Sequence, residues 1–116
     1  MKKFIFSSGN IVIDKFFADE LRENIKKAAN YNKWSNSPFP YDTITRDIFK
    51  KMADLCDEYE FYYENEAIDF KSYTTFMFSQ KVLKDLFSDK AKNSENYIIR
   101  SKNLDILSFY AYGKPW

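Results

Sequence analysis

The sequence predicts an α+β fold in which a small antiparallel sheet from the N- and C-terminal strands packs against two to three helices. Short apolar runs with strand propensity lie near both ends of the 116-residue chain, whereas the middle has apolar residues at helical spacing. Because a sheet and helices bury their apolar faces by stacking in layers, we expect one domain over residues 1–116.

The first 13 residues are predicted to form a β-hairpin. The runs FIF (4–6) and IVI (11–13) favour strands, and the segment SSGN between them contains turn residues. Gly9 and Asn10 both tolerate the positive φ angles that tight hairpin turns require.

A helix is predicted directly after this hairpin. Asp14 is a suitable N-cap, and from Lys15 to about Asn30 apolar residues recur at helical spacing. Phe16 lies next to the apolar stripe, where it either widens the stripe or projects toward a partner.

Two further helices are predicted in the middle of the chain. After a proline-containing loop over 32–41, in which Trp34 and Phe39 either pin the loop to the core or line a mouth or interface, a helix starts near Asp42 or Thr43. Its apolar stripe comprises Ile44, Ile48, Met52, Leu55 and Tyr59, with Cys56 beside it as a small buried hydrophobe. Ser72 is a candidate cap for another helix, whose apolar positions are Phe76, Val82, Leu83, Leu86 and Phe87.

The remaining segments are predicted as follows. Residues 58–69 either extend the second helix or form a strand, because their periodicity fits both. Residues 88–96 are polar and are expected to be an exposed connection. The C-terminal part is predicted as strand 97–100, turn 101–103 and strand 104–112.

The composition excludes several classes of function. The net charge of +1 argues against a polybasic nucleic-acid-binding domain, and the absence of His removes the usual general base and metal ligand. Two Gly cannot form a phosphate-binding glycine loop, and one Cys cannot form an internal disulfide, which fits a reducing cytosol. No apolar run approaches the length of a membrane span.

Carboxylates offer little specific chemistry. Asp19 and Glu23 are four residues apart, and Asp54, Asp57 and Glu58 form a second group. Such groups either hold Mg²⁺ or Ca²⁺ or form a solvated helix face, and nothing in the sequence brings a particular pair together. We therefore expect a binding protein without catalytic residues, metal or cofactor.

An aromatic content of 20% suggests what such a protein binds. The rings either build the core and a subunit interface or stack on a planar ligand. A flat anionic ligand needs rings for its base and cations for its phosphates. The candidate ligand-binding residues are Phe16, Phe17, Tyr97, Arg100, Tyr110, Tyr112, Lys114 and Trp116. The alternative for this set is ordinary sheet packing with a surface ion pair.

The opening FIFSSGNIVIDKFFADEL (4–21), followed by an amphipathic helix, resembles the phage anti-Thoeris proteins that act as sponges for cyclic ADP-ribose isomers. The resemblance implies a non-enzymatic homo-oligomer in the cytoplasm of the host bacterium. It would sequester a cyclic ADP-ribose-type signal and so block TIR-based anti-phage immunity. The family's pockets use Arg near the C-terminal end, where Arg100 is available, with Lys114 as a later cation.

A second hypothesis is a small phage accessory protein that inhibits a host defence protein by direct protein–protein binding. Neither hypothesis involves a membrane or a nucleic-acid partner.

Overall fold

A computed structural model describes residues 1–34, 38–72 and 77–116, with the side chains of residues 33 and 34 left out. The described parts form five strands, five α-helices and one short 3₁₀-helix. The strands are β1 (Lys2–Phe6), β2 (Asn10–Asp14), β3 (Tyr59–Tyr63), β4 (Glu66–Ile68) and β5 (Asn96–Arg100). The helices are α1 (Lys15–Ala28), α2 (Tyr41–Leu55), α3 (Gln80–Leu86), α4 (Asp89–Lys92) and α5 (Ser101–Tyr112), with the 3₁₀-helix over Tyr31–Trp34. The predicted α+β class is confirmed.

The strands form two sheets rather than one. β1 pairs in parallel with β3, which pairs with β4 in a hairpin, whereas β2 pairs in antiparallel orientation with β5. The antiparallel pairing of an N-terminal and a C-terminal strand is therefore as predicted. The hairpin between the first two strands is wrong, because β1 and β2 belong to different sheets.

Aromatic packing and one glycine explain why β1 and β2 separate. Phe4 and Phe6 of β1 contact Phe61 of β3 with ring centroids 6.2 and 5.5 Å apart. Gly9 has a φ of +92° and its carbonyl accepts the Ser101 N–H at 2.9 Å, which extends the β2–β5 ladder by one pair. The segment between β1 and β2 thus leads from one sheet to the other instead of closing a hairpin.

The C-terminal strand predicted over 104–112 is also wrong, because these residues belong to α5. Leu104, Ile106, Leu107 and Phe109 are completely buried, and Ser108 is nearly so. A helix buried on most of its sides has no polar face, so its sequence lacks the helical period that would have identified it. The remaining signal was Gly113, which ends α5 with a φ of +76°.

The first two predicted helices are confirmed. Asp14 caps α1 by accepting the Phe17 N–H at 3.0 Å, as expected for an N-cap carboxylate. α2 begins at Tyr41 without a side-chain cap, so neither Asp42 nor Thr43 is its cap. The four stripe residues from Ile44 to Leu55 are buried, whereas the fifth, Tyr59, lies in β3.

The structure of the middle of the chain decides between the alternatives for residues 58–69 and for Phe39. Residues 59–68 form the β3–β4 hairpin, whose turn residues Glu64 and Asn65 have φ angles of +51° and +66°. Phe39 pins its loop to the core, with its ring centroid 4.4 Å from that of Phe87. Ser72 is not the cap of α3, the next helix among the described residues, because α3 begins at Gln80 with Ser79 as its N-cap. The side chains of Trp34 and Phe76 lie outside the described residues.

Two smaller predictions also have an outcome. Cys56 is half-buried and packs against the core at the end of α2, so it is less buried than expected. The segment predicted as an exposed connection contains α4, whose N-cap Ser88 accepts the Ala91 N–H, and Ala91 itself is buried.

Arg22 joins α1 to the end of α3. Its side chain is 5% exposed, its Nε donates to the Leu86 carbonyl at 2.6 Å, and one of its Nη atoms lies 2.9 Å from Asp19. The other Nη has no hydrogen-bond partner among the described residues. The hydrogen bond from this buried guanidinium to the Leu86 carbonyl fixes the position of α1 relative to α3, because a buried donor or acceptor that loses its partner costs free energy.

We expect Arg22→Ala to lower the free energy of unfolding by about 2–3 kcal/mol, because it leaves the Leu86 carbonyl without its donor. Urea unfolding followed by circular dichroism measures the change. The control is Arg46→Ala, which removes an exposed arginine paired with Asp42 at 3.2 Å and should cost less than about 0.5 kcal/mol. Equal losses for the two variants would contradict the role given to Arg22.

Candidate groove along the free edge of β5

β5 has one edge without a neighbouring strand. The backbone N–H of Lys15 donates to the Glu95 carbonyl, and the backbone N–H of Ser101 donates to the Gly9 carbonyl. The backbone hydrogen bonds between β2 and β5 are therefore formed by the odd-numbered residues of the two strands. The N–H and C=O groups of Asn96 and Ile98, together with the Arg100 N–H, therefore point away from β2. None of these groups has a backbone partner outside the ladder in the described part of the chain.

A groove runs along this edge, with β5 on one side and the helices α3 and α4 on the other. It consists of two adjoining depressions of about 260 and 450 Å³, which share Asp85, Tyr97 and Ile98. All five residues of β5 line one or the other. Because successive side chains of a strand point to opposite faces, this lining shows that the groove follows the edge of the strand rather than one face. We refer to it as the β5 groove.

The β5 groove has an excess of positive charge. Its cations are Lys81, Lys90 and Arg100, and its one carboxylate is Asp85. None of the three cations forms an ion pair with a described residue. Unpaired cations at the rim of a depression attract anions.

Tyr97 provides an aromatic surface in the groove. Its side chain is half-buried, and the Arg22 guanidinium carbon lies 6.0 Å from the ring centroid. Burial raises the pKa of the Tyr97 hydroxyl above its ordinary value, and the nearby Asp85 carboxylate adds to the increase. The hydroxyl is therefore protonated near neutral pH and available as a hydrogen-bond donor.

Asn103 contributes a buried acceptor. It lines the smaller depression, is 9% exposed, and its Oδ1 has no hydrogen-bond partner among the described residues. Next to it, burial lowers the pKa of the Lys102 ammonium, and repulsion from Arg100 lowers it further. Buried polar atoms are almost always paired, so the Asn103 oxygen indicates a place where a donor group can bind.

The structure divides the predicted site residues between separate surfaces. Tyr97 and Arg100 lie together in the β5 groove. Phe16, Phe17 and Trp116 form a second, exposed group, with ring centroids 5.5 Å apart between Phe16 and Phe17 and 6.1 Å apart between Phe17 and Trp116. We call this second group the aromatic cluster. Neither depression of the β5 groove is lined by a residue of the aromatic cluster.

The other three predicted residues do not line the groove. The Tyr112 hydroxyl lies 3.3 Å from the Asn24 amide on α1, and Lys114 is exposed. Tyr110 is half-buried, with the Asp47 carboxylate of α2 nearby, and burial is the main reason that its pKa is raised to about 12. The three were grouped with Arg100 on the assumption of a C-terminal strand, and the helical path of α5 separates them from it.

Sequence reasoning missed Lys81, Asp85, Lys90 and Asn103. They come from α3, α4 and α5, and only the packing of these helices around β5 brings them together. No local pattern in the sequence indicates that arrangement. Asn103 was assigned to a turn, where an amide side chain is usually solvated.

The carboxylates that the sequence offers as possible cation ligands do not converge in the described parts of the chain. Both oxygens of Asp19 contact cations, one from Lys15 and one from Arg22, each at 2.9 Å. The bond from Lys15 is the main reason that the pKa of Asp19 is lowered. Residues 1–34, 38–72 and 77–116 contain no group of three or more potential metal ligands, and none of their helices could span a bilayer.

Comparison of the chain with protein-family models, with curated proteins and with solved structures found no match.

We expect Tyr110→Phe to remove part of the loss of stability above pH 10. The pKa of Tyr110 is raised to about 12 in the folded state, whereas in the unfolded chain it has its ordinary value of 10. As the pH rises from about 10 to about 12, the unfolded chain therefore loses this proton before the folded protein does, and the free energy of unfolding of the wild type falls. Urea unfolding at pH 7, 10 and 11.5 tests this, and the variant should match the wild type at pH 7, since the hydroxyl has no partner among the described residues. Parallel pH curves for the two proteins would contradict the assignment.

Proposed function

We propose that this chain binds a small phosphorylated ligand of nucleotide size in the β5 groove and holds it without chemical conversion. The observation that supports this best is the combination of the Tyr97 ring, the unpaired cations and the unpartnered Asn103 oxygen in one groove. These are the three kinds of group that bind a base or ribose and its phosphates. The ligand class that the anti-Thoeris resemblance implies is a cyclic ADP-ribose isomer.

The charges of the groove favour binding over catalysis. Lys81, Lys90 and Arg100 supply charged donors for phosphate oxygens. The groove's one carboxylate, Asp85, faces an excess of cations, and Tyr97 is a weaker acid than usual. This balance of charge supports the proposal that the groove binds an anion and holds it unchanged.

We expect Arg100→Ala to weaken binding of a cyclic ADP-ribose isomer about 10- to 100-fold, because a charge-assisted hydrogen bond to phosphate is lost. Isothermal titration calorimetry measures the affinity, and Lys81→Ala should weaken it in the same direction. Arg46→Ala is the matched control, because Arg46 is an exposed arginine on α2 outside the groove. Unchanged affinity in both groove variants would rule out this site.

The fate of the ligand tests sequestration separately. Ligand released from the wild-type complex by heat denaturation should have its original mass by mass spectrometry. A changed mass would identify an enzyme, and absence of binding to the wild-type protein would end the nucleotide proposal altogether.

A second candidate function, inhibition of a host protein by direct binding, is favoured by the aromatic cluster. Phe16 is 64% exposed, and Phe17 and Trp116 are each nearly half exposed. Large exposed rings are unusual on a monomer surface and are enriched where proteins bind each other. The cluster lies where the start of α1 meets the C-terminal residues, as shown by the contact between the rings of Phe17 and Trp116. The Trp116 N–H donates to the Asp105 carboxylate of α5 at 3.1 Å.

For this second function we expect Phe16→Ala to abolish capture of the host protein that tagged wild-type chain retains from bacterial lysate. Phe16 is too exposed to support the fold, so its circular dichroism spectrum and melting temperature should not change. Ile5→Ala is the control, because Ile5 is similarly exposed, at 61%, on another strand. Capture that survives Phe16→Ala and Trp116→Ala would exclude the aromatic cluster as the binding surface.

A further inference from the structure

The two-stranded β2–β5 sheet has an outer face that nothing in the described chain covers. Because side chains alternate along a strand, the even-numbered residues of both strands point outward together. Cross-strand neighbours on this face are Asn10 and Arg100, Val12 and Ile98, and Asp14 and Asn96. All six of these residues are exposed.

The centre of the face is apolar and its two ends have opposite charges. Val12 is 61% and Ile98 64% exposed, although isoleucine and valine are among the residues most often buried. Arg100 lies at one end and Asp14 at the other. Neither forms an ion pair with a described residue, and the Asp14 carboxylate uses one oxygen to cap α1.

We propose that a second copy of this chain docks on this face, through a two-fold axis that crosses the strands at Val12 and Ile98. With the axis in this direction, the Val12–Ile98 pair of one copy stacks on that of the other. The strands of the two copies then run in opposite directions, so the Arg100 end of each sheet meets the Asp14 end of its partner. A two-fold axis along the strands would instead place like ends together, with Arg100 near its own equivalent.

Charge complementarity therefore fits a second copy as the occupant and favours this orientation over the other. A copy of the same face is self-complementary, as a two-fold interface requires. The contact is small, because a five-residue strand is only about 17 Å long. We accordingly expect a weak dimer with a dissociation constant in the micromolar range, since stable dimers bury considerably larger surfaces.

Sedimentation equilibrium of the full chain over a range of concentrations tests the dimer. The wild type should show a reversible monomer–dimer equilibrium. Val12→Thr keeps a β-branched side chain of similar shape, and it should raise the dissociation constant about tenfold because a hydroxyl is introduced twice at the centre of the interface. Ile5→Thr is the matched control, because Ile5 is also 61% exposed in a strand, and it should leave the equilibrium unchanged.

The charged ends have their own test. Asp14→Asn keeps an N-cap side chain for α1 but removes the negative charge, so the dissociation constant should rise about threefold and lose much of its dependence on salt. Circular dichroism of each variant confirms that the fold is retained.

Three results would overturn the dimer proposal. They are a wild type that stays monomeric at millimolar concentration, a dimer that Val12→Thr leaves unchanged, and a dimer that is lost with Phe16→Ala instead. Val12 and Asp14 do not line the β5 groove, so failure here leaves ligand binding untouched and can be told apart from failure of the proposed function.

Discussion

The antiparallel ladder between β2 and β5 is the interaction on which the rest of the architecture depends. It extends from the Gly9–Ser101 pair at one end to the Lys15–Glu95 pair at the other. Each strand continues directly into a long helix, β2 into α1 and β5 into α5. Since the strands are antiparallel, the helices start at opposite ends of the ladder, and they pack against each other. The register of five residue pairs therefore determines where both helices begin.

Most of the aromatic surplus is used in the core. Phe61 of β3 lies at its centre, with the rings of Phe4, Phe6, Phe70 and Phe109 all within 6.2 Å of it, centroid to centroid. These contacts join β1, β3 and α5, which belong to distant parts of the sequence. The interpretation of the rings as core material is thus correct for the majority of the described side chains, among which Phe16, Phe17, Tyr112 and Trp116 are the exposed exceptions.

The sequence predicted those features that local chemistry determines. The cap at Asp14 depends only on a carboxylate before an amphipathic segment, and the buried stripe of α2 depends only on spacing. The choice of partner for a strand is different, because it depends on contacts between residues that are distant in the sequence. The local sequence is compatible with pairing of β1 and β2, and only the contacts of Phe4 with Phe61 and Phe109 favour the pairing of β1 with β3. The helix α5 was predicted as a strand for a related reason: it is buried on most sides, and Ser101, Asn103 and Ser108 are buried with the apolar residues, so polar and apolar positions do not alternate with a helical period.

The same distinction applies to the candidate site. Tyr97 and Arg100 were predicted together because they are neighbours in one strand, and they do line one groove. Tyr110 and Lys114 were predicted to join them on the assumption of a second strand. Because residues 101–112 form the helix α5 instead, neither residue lines the groove. Lys81, Asp85, Lys90 and Asn103 come from three helices and have no sequence signal in common.

Arg100 occupies a position that links the two proposals. It lies at the rim of the β5 groove and also at one end of the outer face of the β2–β5 sheet. A guanidinium that binds a ligand phosphate in the groove is not free to pair with Asp14 of a second copy. Ligand binding and self-association would then oppose each other, and by linkage the effect must be equal in both directions. Loss of an exposed ion pair changes the dissociation constant of the dimer by only a small factor, so the shift in population is largest when the protein concentration lies near that constant.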